Sequence, residues 1–281
     1  MLKKGAVWFI TGCSSGLGRA LAEQVLAAGY RAVVTARKPE ELTRLLAEYP
    51  ETAIAVELDV TKGNQIEAAV AQAQARFGAI DVVVNNAGYG YLGAIEEGDD
   101  ADVRTMFETN LFAPVNILKA VLPGMRERRR GHVVNISSVG GFVTYPATGY
   151  YHMAKFAIEA LSDTLAKEVA AFGIGVTVVA PGAFRTNFRG GSIRQAKVRL
   201  SAYAGTAAAK QRDVVLAGHG KQQGDPSRGA RAIINAIEAE SPPLHLVIGG
   251  DALDQLRQKV VDLQKEWDKW ESVTRSTNFA P

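Results

Sequence analysis

The sequence lacks the features that are typical of secreted, membrane and disulfide-bonded proteins. It contains one cysteine, Cys13, in 281 residues, so no internal disulfide can form and a reducing compartment is expected. No apolar run reaches the roughly 18 residues that a membrane helix needs, and the first residues show no signal-peptide pattern. We therefore expect a cytoplasmic protein that does not bind a membrane.

Excess charge and clustered histidines are also absent. The formal net charge is only +3, so no nucleic-acid partner is expected. The basic cluster at residues 126 and 128–130 is interpreted as a solvated helix end rather than a partner-binding patch. The four histidines show no metal-ligand spacing, which predicts no metal site. One of them, His152, is interpreted as a helix-surface or interface residue.

The chain up to residue 186 alternates short apolar runs with longer helical patterns. Val82–Val84 and Val176–Val179 are nearly continuous β-branched runs, which is typical of strands buried on both faces. The pattern predicts an α/β fold, a doubly wound parallel sheet (Rossmann fold) with helices on both faces, in a single domain over 1–281. Strands are predicted at 6–10, 31–35, 53–58, 81–85, 132–137, 176–180 and 244–248, and helices at 16–28, 40–48, 65–77, 101–126, 150–172, from 226 onward and 251–272.

The last third of the chain has a different character. Residues 187–223 are rich in Gly, Ala, Arg and Lys without a clear strand, and are predicted to form a mobile lid inserted over the site. Residues 251–281 form a predicted C-terminal helical tail. It carries an apolar stripe that packs either on the protein's own core or on a neighbour. The stripe consists of Leu253, Leu256, Val260, Leu263 and Trp267.

A glycine-rich turn joins the first strand to the first helix. Its spacing is G-x-x-x-G-x-G, which differs from the generic G-x-G-x-x-G. Glycines allow a sharp turn and close approach, and the helix start offers free N–H groups, so the turn predicts a pyrophosphate site. Cys13 is interpreted as a small side chain near the cofactor rather than a reactive thiol. The predicted contacts are Gly12, Ser14, Ser15, Gly16, Leu17 and Gly18.

The end of the second strand bears on the choice of cofactor. It reads Thr35-Ala36-Arg37-Lys38, without the carboxylate that would bind the ribose of NAD. The Arg37 guanidinium suits a 2′-phosphate, so NADP(H) is favoured over NAD(H). The alternative is that Arg37 and Lys38 only solvate a loop and both cofactors are accepted.

Tyr151 and Lys155 lie four residues apart in a predicted helix and therefore on one face of it. Such a pair is common by chance, but Asn85-Asn86-Ala87-Gly88, Asn110 and Ser137-Ser138 accompany it. The thirteen-residue spacing favours Ser138 over Ser137, and only Tyr151, not Tyr150, has lysine four residues later.

These motifs resemble the short-chain dehydrogenase/reductase family, over roughly residues 6–186. The resemblance implies that Tyr151 is the general acid or base, that Lys155 stabilises its phenolate and binds the nicotinamide ribose, and that Ser138 donates to the substrate oxygen. Asn110 is expected to hold a water that links the lysine to solvent.

The resemblance also implies the remaining cofactor contacts and the assembly. A homodimer or homotetramer is expected, and the sequence is most similar to NADP-dependent steroid- or retinol-dehydrogenase-like members. Cofactor contacts are implied for Asn86, Ala87 and Gly88 in the cleft, for Asp59 and Val60 near the adenine, and for Pro181, Gly182 and Thr186 near the nicotinamide.

The expected substrate is a hydrophobic ketone, aldehyde or secondary alcohol, because the candidate pocket wall is apolar and partly aromatic. Two alternatives remain: an NAD-preferring alcohol dehydrogenase of the same family, and a non-catalytic dinucleotide sensor. The candidate substrate-binding residues are Ser138, Gly140, Phe142, Tyr145, Tyr151 and Phe184, with Gly141, Tyr89 and Tyr91 as further wall residues.

Overall fold

Seven parallel strands form the central sheet of the computed structural model, which describes residues 2–279. Their order is β3-β2-β1-β4-β6-β7-β9, and two further strands, β5 and β8, pair in parallel beside it. The predicted fold class, a doubly wound parallel sheet, is confirmed. The strands are β1 Val7–Ile10, β2 Arg31–Ala36, β3 Ala53–Glu57, β4 Val82–Asn85, β5 Gly90–Leu92, β6 Gly131–Ile136, β7 Ile174–Pro181, β8 Ile193–Gln195 and β9 His245–Ile248.

Helices cover both faces of this sheet. In β1, Trp8 and Ile10 point into a core shared with α1 and α9, while Val7 and Phe9 point into a second core with α3, α5 and α6. Burial on both faces explains why the strands are continuous apolar runs. The helices are α1 Gly16–Ala27, α2 Thr43–Glu48, α3 Gly63–Phe77, α4 Asp100–Phe107, α5 Ala113–Glu127, α6 Gly149–Val169, α7 Phe188–Gly191, α8 Ala207–Ala217, α9 Pro226–Glu238 and α10 Gly250–Ser276.

The helix predicted over 101–126 is divided. A π-helical turn, Glu108–Phe112, separates α4 from α5. Pro114 lies in the first turn of α5, where a missing N–H breaks no hydrogen bond of that helix. Apolar periodicity alone could not reveal this change of winding.

The prediction that residues 187–223 contain no strand was wrong. Ile193–Gln195 forms β8 and pairs with β5, Gly90–Leu92, which was not predicted either. Three-residue strands are too short to produce a recognisable period of two. The pairing joins the predicted lid to the loop after β4.

The C-terminal helix touches the rest of the protein mainly through its first two turns. Ala252 is its one fully buried residue within the described part of the chain, whereas Val260 is 64% exposed. The predicted limits 1–281 and 251–281 include residues 1, 280 and 281, which lie outside the described residues. Within residues 2–279 no helix combines the length and apolar composition needed to cross a bilayer.

Candidate active site

A cavity of about 880 Å³ opens at the carboxyl ends of the parallel strands. It lies where the strand order reverses, between β1 and β4, the place where doubly wound sheets bind ligands. The structure brings most of the predicted site residues together around it. Those that line it are Gly12, Ser14, Ser15, Gly16, Leu17, Arg37, Asp59, Val60, Asn86, Ala87, Gly88, Ser138, Gly140, Tyr145, Tyr151, Lys155, Pro181, Gly182, Phe184 and Thr186.

The glycine loop wraps tightly around the start of α1. Gly12 and Gly16 have φ values of +70° and +65°, which disfavour residues with a Cβ. Gly18 lies outside the cavity lining, and a Cβ on it would overlap the carbonyl of Gly12 and the amide of Asn86. Gly18 therefore lets helix α1 approach the glycine loop closely. This close approach sets the shape of the cradle.

The loop is held from below by β4 and the residues after it. The Asn86 amide donates to the carbonyl oxygens of Thr11 and Gly12 at 2.8 and 3.1 Å. The Thr11 hydroxyl accepts from the N–H groups of Asn86 and Ala87 at 2.9 and 3.0 Å. Thr11 was not predicted as a site residue, although its position at the end of β1 was visible in the sequence.

The loop fits the pyrophosphate of a dinucleotide. Ser15 precedes α1 in an extended conformation and makes no side-chain cap, so the first N–H groups of the helix are free of such a bond. Free N–H groups at a helix start bind anions. Glycines 12 and 16 remove the Cβ atoms that would fill the cradle.

Arg37 and Asp59 flank the outer part of the cavity. The Arg37 side chain is exposed at the end of β2. Burial alone would raise the pKa of Asp59, but hydrogen bonds from the backbone and hydroxyl of Thr61 outweigh it, with help from Lys62 and Arg37, and lower the pKa. Asp59 is thus an ionised acceptor, and Arg37 is the cation next to it.

Cys13 is part of the core below the loop and does not line the cavity. Its thiol donates to the Ile10 carbonyl at 3.2 Å, and burial raises its pKa to about 12. Such a thiol is protonated and unreactive at neutral pH. The interpretation against a reactive cysteine agrees with this placement.

Tyr151, Lys155 and Ser138 meet at the inner end of the cavity. Burial raises the pKa of the Tyr151 phenol to about 12, and a hydrogen bond with the Ser138 side chain opposes that rise. The Lys155 Nζ lies 5.7 Å from the centre of the Tyr151 ring and donates to the Ile136 carbonyl at 2.8 Å. Burial lowers the pKa of this lysine to about 8.

The sequence neighbours of Tyr151 and Ser138, which were the competing candidates, make different contacts. The Tyr150 hydroxyl donates to the Ile95 carbonyl at 2.7 Å. The Ser137 hydroxyl lies 3.5 Å from the backbone carbonyl of Lys155, whereas the Ser138 hydroxyl accepts from Gly140 N–H at 3.0 Å.

A carboxylate that the sequence reasoning missed lies one turn after the lysine. Glu159 is buried, and its Oε2 lies 3.3 Å from Nδ1 of His245 on β9. Burial raises the pKa of Glu159, while contacts with Ser137 and His245 oppose the rise. Its charge in turn opposes the fall in the pKa of Lys155. The four-residue spacing from Lys155 to Glu159 was a signal that the sequence offered. The contact with His245 could not be foreseen, because His245 is distant in the sequence.

Asn110 lies beside the site rather than in its wall. From the π turn, its amide donates to the Tyr89 carbonyl at 2.8 Å and accepts from Tyr89 N–H at 3.0 Å. These two hydrogen bonds fix the backbone between Gly88 and the start of β5. A water-mediated link from Asn110 to Lys155 stays a prediction.

The interpretation of His152 as a surface or interface residue was wrong, because the side chain is buried. Its Nδ1 lies 2.8 Å from the Gly140 carbonyl, and its Nε2 accepts from Tyr145 N–H at 3.0 Å. Nδ1 therefore carries the proton in the neutral ring, and burial lowers the pKa of the imidazole. His152 fixes the loop over residues 140–148. Phe142 on this loop lies outside the cavity lining, against His245.

The segment predicted to form a lid, residues 187–223, is held by a buried ion pair. Arg212 of α8 donates to Glu97 at 2.6 Å, with side chains 7% and 1% exposed. Glu97 also accepts from the N–H groups of Ala94 and Leu200, both at 3.0 Å. Neither residue was predicted, because charged residues 115 positions apart give no pattern in one sequence.

Gln222 is a further site residue that the sequence did not reveal. It lines the cavity and is buried, yet neither atom of its side-chain amide has a hydrogen-bond partner within the described chain. Buried amides normally have partners, so this one is available to a ligand. Among the described residues, no three His, Cys, Asp or Glu side chains are placed to hold a metal ion.

Comparison with known proteins relates the whole chain to one family. Residues 6–197 match the family model described as short chain dehydrogenase. The chain is 39% identical to oxidoreductase BOA17 of Botryotinia fuckeliana over 269 residues (95% of this chain and 97% of that protein), and 35% identical to human retinol dehydrogenase 8 over 249 residues (84% and 78%).

Solved structures extend the comparison. A short-chain dehydrogenase from Streptomyces avermitilis superposes with a TM-score of 0.91 at 44% identity, covering 99% of this chain and 100% of that one. A metagenomic short-chain oxidoreductase in complex with NADP has a TM-score of 0.68 at 26% identity, covering 87% and 97%.

The chain belongs to the short-chain dehydrogenase family. Like the other members of this family, it is an NAD(P)-dependent oxidoreductase.

Proposed function

We propose that this protein transfers hydride between NADP(H) and a hydrophobic ketone, aldehyde or secondary alcohol. The observation that carries the proposal is the half-buried Tyr151 phenol, which lines the cavity, bonds to the Ser138 side chain and has the Lys155 Nζ 5.7 Å from the centre of its ring. A bound nicotinamide dinucleotide supplies or accepts the hydride. The remaining chemistry falls to side chains of this chain.

Tyr151 acts as the proton donor in the reductive direction. With a pKa raised to about 12, the phenol keeps its proton at neutral pH and is available to a developing alkoxide. Ser138 adds a second hydrogen-bond donor for the same oxygen. Lys155, as an ammonium near the ring, stabilises the phenolate that the transfer leaves behind.

The preference for NADP(H) rests on Arg37. Its exposed guanidinium lines the cavity at the end of β2, where an NAD-binding residue would be a carboxylate. A guanidinium can bind a phosphate through two parallel hydrogen bonds. An NAD-preferring enzyme is the alternative, and Asp59 on the neighbouring loop is the acid that would favour it.

The apolar part of the cavity supports a hydrophobic substrate. Human retinol dehydrogenase 8, by its name, acts on an apolar alcohol. The Gln222 amide provides one polar contact within this wall. The apolar lining residues include Tyr89, Tyr91, Leu92, Tyr145, Phe184, Phe188, Ile193 and Val215.

A non-catalytic dinucleotide sensor on the same fold is the rival from another class. Such a sensor would need the glycine cradle but not the Tyr151 acid and the lysine beside it. We further propose a cytoplasmic location and a small-molecule partner, with no nucleic acid or membrane involved.

The cofactor preference is tested by comparing NADPH and NADH affinity in Arg37→Ala and in Lys38→Ala. Lys38 is the matched control, since it is the next cation in the chain and does not line the cavity. Loss of a charged hydrogen bond, about 1.5–3 kcal/mol, weakens NADPH binding by roughly 10- to 150-fold in Arg37→Ala, with NADH little changed. Equal NADPH affinity in both variants would contradict the assignment.

A further inference from the structure

The C-terminal helix α10 projects from the protein after its first two turns. Its start is anchored, because Asp251 accepts from Ala183 N–H at 2.9 Å and Gln255 accepts from the Tyr145 hydroxyl. From Gln258 onward, the side-chain hydrogen bonds of the described helix stay within it. The helix spans 27 residues, so the projecting part is about 30 Å long.

Helix α10 carries an apolar stripe with the spacing of a coiled coil, which begins in the anchored turns and continues along the projecting part. Its members are separated alternately by three and four residues, the heptad pattern of positions a and d. Val260, Trp267 and Trp270 are 64%, 59% and 54% exposed, and an exposed apolar face of this kind marks an interaction site. The tail stripe comprises Leu253, Leu256, Val260, Leu263, Trp267 and Trp270.

We propose that the tail stripe packs against the same stripe of a second copy of this chain, as a two-stranded antiparallel coiled coil. The two copies are related by a twofold axis that crosses the helices between Val261 and Asp262. This arrangement is isologous and closes at two copies. It does not depend on the proposed cofactor or substrate.

The charges beside the stripe favour the antiparallel orientation. Lys259 and Glu266 both occupy heptad position g, and in antiparallel pairs g positions face each other. Lys259 therefore faces Glu266 of the second copy, and the symmetry makes this attraction twice. In a parallel pair, g faces the e position five residues later, so Glu266 would face Glu271 of the second copy, a repulsion made twice. Such flanking charges set orientation in coiled coils.

Side-chain size favours the same orientation. The antiparallel register places Leu253 opposite Trp270, and Leu256 opposite Trp267. Each bulky indole then faces a smaller residue, which keeps the helix separation even. A parallel register would stack indole on indole in two layers and valine on valine in another.

A membrane surface is a poorer occupant of the stripe. The polar faces of the projecting helix mix acidic and basic residues almost equally, whereas helices that lie on anionic lipid are rich in Lys and Arg on the polar face. The protein's own body does not cover the stripe either, because most of it is exposed.

The first test is the mass of the full chain in solution, measured by light scattering over a concentration series. Leu263→Glu places a charge in the stripe and is expected to halve the mass of the assembly, towards the 30.0 kDa monomer if no other interface exists. Val261→Glu is the matched control: Val261 is 46% exposed on the same helix but outside the stripe, and this variant should keep the native mass. An unchanged mass in Leu263→Glu would overturn the proposal, leaving lipid or another protein to cover the stripe.

The second test is orientation. Glu266→Lys places lysine against Lys259 of the second copy in the antiparallel pair, which weakens dimerisation by roughly 5- to 30-fold, and Lys259→Glu added to it restores the affinity. In a parallel pair, Glu266→Lys removes a repulsion and strengthens the dimer instead. A tighter dimer in Glu266→Lys would therefore overturn the antiparallel arrangement.

Discussion

The Glu159 carboxylate lies 3.3 Å from Nδ1 of His245 and one helical turn beyond Lys155. It connects the buried ammonium of the active site to a half-exposed imidazole on β9. The other ring nitrogen of His245 lies 3.6 Å from Asp163, two turns beyond the lysine. The lysine therefore titrates under the influence of a carboxylate that does not line the cavity.

Glu159→Gln is expected to move the alkaline limb of kcat/KM to lower pH. Burial lowers the pKa of Lys155 to about 8, and the Glu159 charge opposes that fall. Without the charge the pKa of Lys155 falls further, so the ammonium is lost at lower pH. The pH dependence of carbonyl reduction measures the shift.

Asp163→Asn is the control for that experiment. It removes a carboxylate from the same helix and beside the same histidine, but one turn further from Lys155. Its profile should superpose on that of the native protein. Superposition of the Glu159→Gln profile as well would show that the carboxylate does not influence the lysine.

Gly18→Ala is expected to weaken cofactor binding. The added Cβ would overlap the Gly12 carbonyl and the Asn86 amide, so the glycine loop must shift. Overpacking of this kind costs about 1–3 kcal/mol of stability. The part of this cost that must be met again to restore the cradle on binding raises the dissociation constant, by at most roughly 150-fold. Titration of NADPH by fluorescence or calorimetry measures it.

Gly63→Ala serves as the comparison for Gly18→Ala. It makes the same change at the first residue of α3, where an added Cβ meets nothing within 4 Å. It should leave the dissociation constant unchanged. If both alanine variants bind NADPH like the native protein, the loop does not need its close approach to α1.

Arg212→Met is expected to loosen the lid. It leaves Glu97 buried without its guanidinium, a change that costs about 3–5 kcal/mol in other proteins. Gln211 and Val215 of the same helix line the cavity, so the KM for the carbonyl should rise while NADPH affinity is retained. Steady-state kinetics and urea unfolding together report the two effects.

The lid also offers a control arginine. Arg199 is exposed and bonds only Gln195 four residues earlier, at 2.9 Å. Arg199→Met should change neither KM nor stability by more than a small amount. A native KM in Arg212→Met would mean that the ion pair does not hold the substrate wall.

The sheet and much of the site could be predicted from the sequence because their signals are local. Val82–Val84 is apolar without alternation, which only burial on both faces explains. The glycines at 12, 16 and 18 mark a turn with a close approach, and Tyr151 and Lys155 share a helix face by spacing alone. Each of these requires only neighbouring residues.

The rest depends on contacts between distant segments. Glu97 and Arg212 meet although they are 115 residues apart, and Glu159 of α6 meets His245 of β9. His152 is buried only because the loop over residues 140–148 packs on it, and the sequence around His152 does not show this contact. The π turn at Asn110 and the short pairing of β5 with β8 are likewise set by tertiary packing, which overrides local preference.

The central claim is that the Tyr151 phenol supplies the proton in a hydride-transfer reaction, and Tyr151→Phe tests it most directly. Phenylalanine keeps the ring that packs beside Phe188 and His152 but removes the acid. Tyr150→Phe is the matched control, since that hydroxyl donates to Ile95. NADPH oxidation should be measured over a panel of hydrophobic ketones and aldehydes, with cofactor affinity determined separately. We predict that Tyr151→Phe loses roughly 100- to 10,000-fold in kcat and still binds NADPH, while Tyr150→Phe stays active. Native turnover in Tyr151→Phe, on a substrate that the native protein reduces, would contradict the account.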